Sequence, residues 1–363
     1  MRFAFTEEQL AFAAAVRDLL DQTCSADALR AAWEGPTAHD DARWRHLGEM
    51  GVLGLTVPEQ FGGLGLGSVD LVAVLEETGR AALPEPLVEH AGVAGPLLAD
   101  VAGSDAPGAA LARAALAGLV AGESVVGVQS QGKPHVLAAD VATDVVLARR
   151  DELHLVPRDA LTLVAQTSVD RSRRLFEVDW RPSPSTLLVG GEEGFGAINR
   201  SFDRGALGTA AQLVGLADRM VEMTVDYVGA RRQFGVPVGS FQAVKHHLAD
   251  ALLRVEFARP PLHRAAWSMD CDHPDRSRDV SMAKAMASDA ALLAAKVALQ
   301  CHGAIGYTVE YDLHLFMKRA WALAAQWGDA TWHRRRVALA VMGGDSAAFT
   351  VEDAVGLLGE TLG

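Results

Sequence analysis

The spacing of apolar residues along this chain changes period twice, and that double switch limits the possible folds more than any other feature. Up to about residue 121, apolar positions recur at intervals of three and four, the period of a buried helix face. From Gly122 the chain turns to short β-branched runs: Val125-Val126-Gly127-Val128, Val136-Leu137-Ala138, Val145-Val146-Leu147-Ala148, Leu153-His154-Leu155-Val156 and Leu175-Phe176-Glu177-Val178. These read as strands, with Arg149-Arg150-Asp151-Glu152 as a hairpin connection. Beyond residue 188 the helical period returns. The expectation is a mainly α protein with a small β domain: helices over 1–121, strands over 122–188 and a helical bundle over 189–363.

Local signals refine this. Thr6 and Gln9 form a capping box ahead of a helix carrying Phe12, Val16, Leu19 and Leu20. A second helix is expected near Asp40, with Trp44, Leu47 and Met50. The glycine-rich stretch from Gly51 to Gly67 forbids a regular helix, and it lacks the strand–loop–helix setting of a dinucleotide fingerprint. Asp70 to Arg80 resumes a helix, and residues 91–121 read as two helices split by Ser104-Asp105-Ala106-Pro107-Gly108. A helix from about Ala206 to Ala230 leads to a turn, Gly235-Val236-Pro237-Val238-Gly239-Ser240, where Ser240 is placed to cap the next helix. Phe241, Val244, Leu248, Leu252 and Val255 then form a buried stripe, and Pro260-Pro261 should end or kink that helix. Ser281 to Gln300 is another striped helix. The last helix starts near Asp329, with His333, Arg334, Arg335 and Arg336 as a solvated basic face.

Net charge −13 argues against unspecific binding to nucleic acid or anionic membrane, so a polyanionic ligand must meet local arginine clusters. Cys24, Cys271 and Cys301 are far apart and form neither a metal pattern nor a disulfide framework. The first residues lack a signal-peptide pattern, and no apolar run reaches spanning length. A soluble, cytoplasmic protein is expected.

Arg231 and Arg232 sit beside Gln233 and Phe234, just before a helix start, a combination that suits a diphosphate. A plain helical hairpin with solvated arginines is the alternative. The run Arg231-Arg232-Gln233-Phe234-Gly235, with Gln242 seven residues on, resembles the Arg-x-x-Phe-Gly…Gln signature of the acyl-CoA dehydrogenase family. Gly51 to Gly67 resembles the family's "GLLGLxVPEEYGGLGLG" loop, and Gln300-Cys301-His302-Gly303-Ala304-Ile305-Gly306-Tyr307 its "QxxGGxGY" stretch. The resemblance implies an N-terminal helical domain, a central β domain and a C-terminal four-helix bundle. It implies FAD as cofactor, with Arg231, Gln233, Phe234, Phe241 and Gln242 as contacts to a neighbouring subunit's FAD. Gln300, His302, Gly303 and Ala304 belong to the same set, at its adenosine end. It further implies α,β-dehydrogenation of an acyl-CoA substrate, with electron-transfer flavoprotein as acceptor and an oligomeric assembly.

The sequence departs from the family pattern in two places. Where members carry a flavin-cradling "TEPxxGSD" loop, Val128-Gln129-Ser130-Gln131-Gly132-Lys133-Pro134 stands, and nothing matches the "WITN" strand. The chemistry needs a desolvated carboxylate to take the α-proton. The usual Glu of "YEGT" falls on Trp327, and the alternative Glu, 29 residues ahead of Phe234, falls on Gly205. Asp329, two residues past the first, is the remaining candidate, although a helix N-cap is an ordinary role for it. This leaves two main expectations. One is a homomeric FAD-dependent acyl-CoA dehydrogenase with a displaced base. The other is a catalytically incomplete partner subunit in an α2β2 enzyme acting on fatty or steroid-derived acyl-CoAs, beside a homologous subunit that brings the base. A third, flavin-dependent oxidation or hydroxylation on the same fold, is weaker.

Overall fold

The computed structural model describes residues 4–130 and 134–342. Gln131, Gly132 and Lys133 of the departing loop lie outside the described residues. The N-terminal region is helical: α1 (Glu7–Thr23), α2 (Ala26–Glu34), α3 (Asp41–Glu49), α4 (Ser68–Arg80), a π-helical segment (Val88–Ala94), α5 (Gly95–Ala102) and α6 (Ala109–Ala121). The capping box is in place, with Thr6 Oγ1 accepting the Gln9 N–H at 3.2 Å and Gln9 Oε1 accepting the Thr6 N–H at 2.9 Å. Helix α2, capped by Ser25, was not expected. Its nine residues bury only Leu29, which leaves little periodic signal to read.

Seven strands come next: β1 (Val126–Val128), β2 (His135–Leu137), β3 (Asp144–Arg149), β4 (Glu152–Pro157), β5 (Thr162–Gln166), β6 (Leu175–Asp179) and β7 (Leu187–Val189). One sheet runs β1-β3-β4-β7 and the other β2-β6-β5. The β3–β4 hairpin closes with Arg149 opposite Glu152 and Arg150 at φ +56°. Strands β5 and β7 escaped the sequence reading. β5 is an edge strand whose residues are largely exposed, and β7 is only three residues long.

The C-terminal bundle comprises α7 (Gly191–Ala230), a two-residue ladder of β8 (Arg232–Gln233) and β9 (Val236–Pro237), α8 (Gln242–Asp270), α9 (Arg276–His302), α10 (Leu313–Ala325) and α11 (Ala330–Val341). Helix α7 starts at Gly191 rather than near Ala206 and runs unbroken for 40 residues. Its glycines serve close packing: a Cβ at Gly215 would lie 1.8 Å from Glu76 O, and one at Gly79 on α4 would lie 2.1 Å from Gln212 O. The two helices therefore cross with backbone against backbone.

Four expectations about α8 and α11 need correction. Pro260 and Pro261 do not end α8, which continues to Asp270. The buried row Ala251, Val255, Ala258, Leu262 and Ala265 spans the prolines, so tertiary packing outweighs the lost backbone donors. Ser240 does not cap α8; its hydroxyl donates to Pro237 O at 2.7 Å and Phe241 holds the cap position. The expected stripe is only partly buried within the chain, since Phe241 is 39% and Leu252 42% exposed. On α11 the basic face divides. Arg334 and Arg335 are exposed, whereas His333 and Arg336 are buried. Among the described residues no helix is long and apolar enough to cross a membrane.

Candidate functional site

The residues at the two expected base positions touch each other. Trp327 lies just past the end of α10 and is 1% exposed. Its indole lies directly on Gly205 of α7, where a Cβ would come within 2.3 Å of Trp327 Cδ2 and Cε2. Phe202, one turn earlier on α7, packs its ring 6.0 Å from the indole and 4.8 Å from that of Trp332. No carboxylate stands at either position, and the space facing Gly205 is filled by the Trp327 indole, with Phe202 beside it.

The turn carrying Trp327 is strained and tightly held. Trp327 has φ +52° and Gly328 φ +88°. A left-handed backbone is uncommon for a bulky residue and costs on the order of 1–2 kcal/mol. His333 Nε2 donates to Trp327 O at 2.8 Å. Lys284, fully buried on α9, donates through Nζ to Ala324 O at 3.1 Å and Gly328 O at 3.0 Å, and to Ser288 Oγ at 3.3 Å. Burial pulls the Lys284 pKa down to about 7, against the opposing pull of the Asp329 charge. Burial and then the Lys284 charge hold His333 well below the usual histidine range, so it stays neutral. Asp329 itself is exposed and caps α11, its carboxylate accepting the Trp332 N–H at 2.8 Å.

A buried polar cluster surrounds this turn on two sides. On one side Arg336 donates to Asp203 at 2.5 Å, and Ser277 Oγ donates to the same carboxylate at 2.6 Å. On the other, Gln326 links two charges: Arg173 donates to its Oε1 at 2.9 Å, and its Nε2 donates to Glu89 at 3.0 Å. Glu89 lies on the π-helical segment and is buried. The sequence reading missed Lys284, Arg173, Glu89 and Gln326. Lys284 alone left a signal, a lysine on the apolar stripe shared by Val280, Ala287 and Ala291.

The expected FAD contacts lie elsewhere, at the surface. Phe234 (φ +53°) and Gly235 (φ +81°) form the tip of the β8–β9 ladder, with two successive left-handed residues as in a type I′ turn. The tip holds the Phe234 ring 92% exposed, 6.2 Å from Phe241. Arg231, Gln233 and Gln242 are exposed, and among the described residues no carboxylate pairs with Arg231. Tyr227, at the end of α7, stacks on His302 with centroids 4.3 Å apart. This brings the Arg231 turn beside the end of α9, where Gln300, Gly303 and Ala304 are exposed. His302 points inward, with Nδ1 donating to Ala298 O at 2.7 Å and burial lowering its pKa. Gly303 has open space around its Cα, so its need for glycine is set by φ +66° rather than by close approach. An exposed guanidinium, two exposed amides and the start of α8 make a donor set that fits a diphosphate. The set faces outward, at the surface of the chain.

Comparison with known proteins places these features. Residues 6–116 match the model for the acyl-CoA dehydrogenase N-terminal domain, and residues 192–342 that for the acyl-CoA dehydrogenase C-terminal domain. The chain is 34% identical over 337 residues to the acyl-CoA dehydrogenase IpdE2 of Mycolicibacterium smegmatis, covering 92% of this chain and 98% of that protein. In fold it is similar to the ChsE4-ChsE5 complex from Mycobacterium tuberculosis, with TM-score 0.84, 24% identity and coverage of 94% and 99%. It is also similar to the Tcur3481-Tcur3483 steroid ACAD, with TM-score 0.80, 26% identity and coverage of 93% and 98%.

Proposed function

This chain belongs to the acyl-CoA dehydrogenase family, and we propose that it serves there as a catalytically incomplete partner subunit of a heteromeric acyl-CoA dehydrogenase. The observation that carries this reading is the Trp327 indole seated on Gly205. Taking a weakly acidic α-proton needs a desolvated carboxylate within hydrogen-bond reach. Both places for one are occupied by groups that cannot accept a proton, and Asp329 is solvated and engaged in capping. A homologous subunit therefore supplies the base.

This chain's contribution is binding and positioning. Arg231 meets the diphosphate of the partner's FAD, Gln242 and Gln300 lend amide contacts, and Gln233, Phe234, Phe241, His302, Gly303 and Ala304 shape the wall around them. FAD, when bound, supplies the hydride acceptor for α,β-dehydrogenation, and electron-transfer flavoprotein takes the electrons onward. The exposed apolar row Leu252, Leu253 and Phe257 on α8 faces the partner chain. Within this reading, residues 1–121, 122–188 and 189–363 are the three domains. Likeness to a steroid ACAD supports a bulky, steroid- or fatty-acid-derived acyl-CoA as the assembly's substrate.

Co-expression with base-carrying homologues tests this. The chain alone is expected to hold little flavin and to leave it oxidised when an acyl-CoA is added without oxygen. The complex is expected to be yellow and to bleach. If the chain alone is yellow and bleaches, and Asp329→Asn abolishes that, the partner-subunit reading fails and Asp329 is the base.

A further inference from the structure

The surface donor set has two halves, and one aromatic stack joins them. The first half is the β8–β9 ladder, two residues long on each side, with Arg231 to Val236 exposed. So short a hairpin is at best marginally stable in water on its own. It hangs from the end of α7: the Arg231 N–H donates to Tyr227 O at 2.8 Å, and the Val238 N–H donates to Arg231 O at 2.8 Å. Gly239 rests on buried Val228, where a Cβ would come within 3.0 Å of Val228 Cγ2. The second half is the end of α9, where Gln300 precedes the turn Gly303–Tyr307.

His302 stands between the halves. Expected among the FAD contacts, it is instead only 4% exposed. Its Nδ1 donates to Ala298 O at 2.7 Å, and its Nε2 is buried without a hydrogen-bond partner among the described residues. Its ring lies nearly parallel to that of Tyr227, at 19°. Tyr311, just past the turn, closes the other side, 4.8 Å from His302 and 5.7 Å from Tyr227. Aromatic pairs at such spacings contribute beyond the area they bury. The Tyr227 hydroxyl reaches His302 O only at 3.4 Å, a long bond, so the ring faces carry this contact. With so little surface of its own, His302 acts on a ligand through Tyr227.

We propose that Tyr227 and His302 are positioning residues for FAD binding: their stack sets the spacing between the Arg231 turn and the Gln300–Ala304 turn, so that the two halves act as one site. This rests on the partner-subunit reading, in which those turns meet the partner's FAD. Holding them in place beforehand avoids an ordering cost at binding.

Two measurements test it. The first needs no flavin: hydrogen–deuterium exchange of the full chain alone. In Tyr227→Leu and His302→Leu, amides of residues 231–241 are expected to exchange at least about tenfold faster, with those of residues 205–220 unchanged. The second is FAD retention by the heteromeric assembly, measured by flavin titration. Either leucine variant is expected to weaken it at least about tenfold, as displacement of a charge-assisted contact implies. Tyr227→Phe keeps the stacked pair and is expected to stay within about twofold of the unaltered protein in both measurements. Adding Tyr227→Leu to Arg231→Ala is expected to cost little beyond Arg231→Ala alone. Should one leucine variant fail to fold, the other decides. Unchanged exchange, or faster exchange with unchanged FAD retention, overturns the proposal and leaves the partner-subunit reading intact. Tyr227→Phe as weak as Tyr227→Leu overturns it too, because the hydroxyl then carries the effect. Losses from Tyr227→Leu and Arg231→Ala that simply add show two separate contacts and overturn it likewise. If Arg231→Ala itself leaves FAD retention unaltered, the partner-subunit reading fails, and this proposal with it.

Discussion

Substituting Gly205 by Ala puts one methyl group where the structure has no room for it. The added Cβ would meet Trp327 Cδ2 and Cε2 at 2.3 Å and Cε3 at 2.7 Å, against about 3.5–4.0 Å for comfortable carbon contact. Either the indole or α7 must move by more than an ångström. The indole is backed by Phe202, and its backbone is pinned through His333 and Lys284, so it yields poorly. Overpacking of this kind costs about 1–3 kcal/mol, and the rigidity of both partners puts Gly205→Ala near the upper end. Urea unfolding of the single and double variants with Trp327→Leu isolates the contact. Trp327→Leu alone leaves a cavity and costs a few kcal/mol, on the order of 3. In that background the alanine methyl has space, so Gly205→Ala is expected to become nearly neutral, giving a coupling energy of about 1–3 kcal/mol. If Gly205→Ala costs the same with and without the indole, the two base positions do not interlock and the occluded-site argument is wrong.

Four further outcomes are expected. Arg231→Ala should weaken FAD retention by the heteromeric assembly by about 1.5–3 kcal/mol, measured by flavin titration, with the chain's own unfolding unchanged. Asp329→Asn should leave turnover of the assembly unaltered and stability nearly so, because asparagine caps equally well, whereas Asp329→Ala should cost about 1 kcal/mol in urea unfolding. Lys284 has a folded pKa lowered to about 7, so the unfolded chain binds more protons between pH 7 and about 10.5; its burial penalty is full below pH 7 and relieved as pH rises through that window. The stability of the unaltered protein relative to Lys284→Met should therefore climb with pH, by at most about 5 kcal/mol at 1.36 kcal/mol per unit, and a flat difference between pH 6.5 and 9.5 would refute the assignment. Phe257→Glu, on the exposed face of α8, should dissociate the assembly in light scattering while circular dichroism stays unchanged.

Local features were the ones legible in the sequence. The Thr6–Gln9 capping box, the Arg149–Glu152 hairpin and the Asp329 cap are each decided within four residues, and the structure contains all three. The unexpected features depend on distant partners. Pro260 and Pro261 stay helical because Ala258 and Leu262 are buried against other helices, which propensity alone does not register. Arg336 reads as one of three successive solvated arginines until Asp203, 133 residues away, draws it inside. Arg319 is drawn to Asp170 over 149 residues in the same way. Trp327 and Gly205 were each identified from the sequence as a missing carboxylate. That each replaces the other's volume is a tertiary fact, invisible to spacing.

That contact also bears on how the turn at residue 327 stays folded with an indole there. The turn at Trp327 keeps a left-handed backbone, and the groups that hold it, His333 and Lys284, bind main-chain carbonyls rather than the side chain at 327. These bonds hold the turn through its main chain, against the cost that a left-handed backbone carries for any residue other than glycine. A carboxylate at 327 with no substrate to justify its desolvation would be a buried, unpaired charge, a costly group to retain. An indole avoids that charge and adds buried apolar surface, at the cost of an Nε1–H buried with no partner among the described residues, provided the facing helix offers a position without a side chain. Gly205 is that position. The aromatic filling therefore packs the position without a buried charge, and installing Glu at 327 alone would place an unpaired charge beside Phe202.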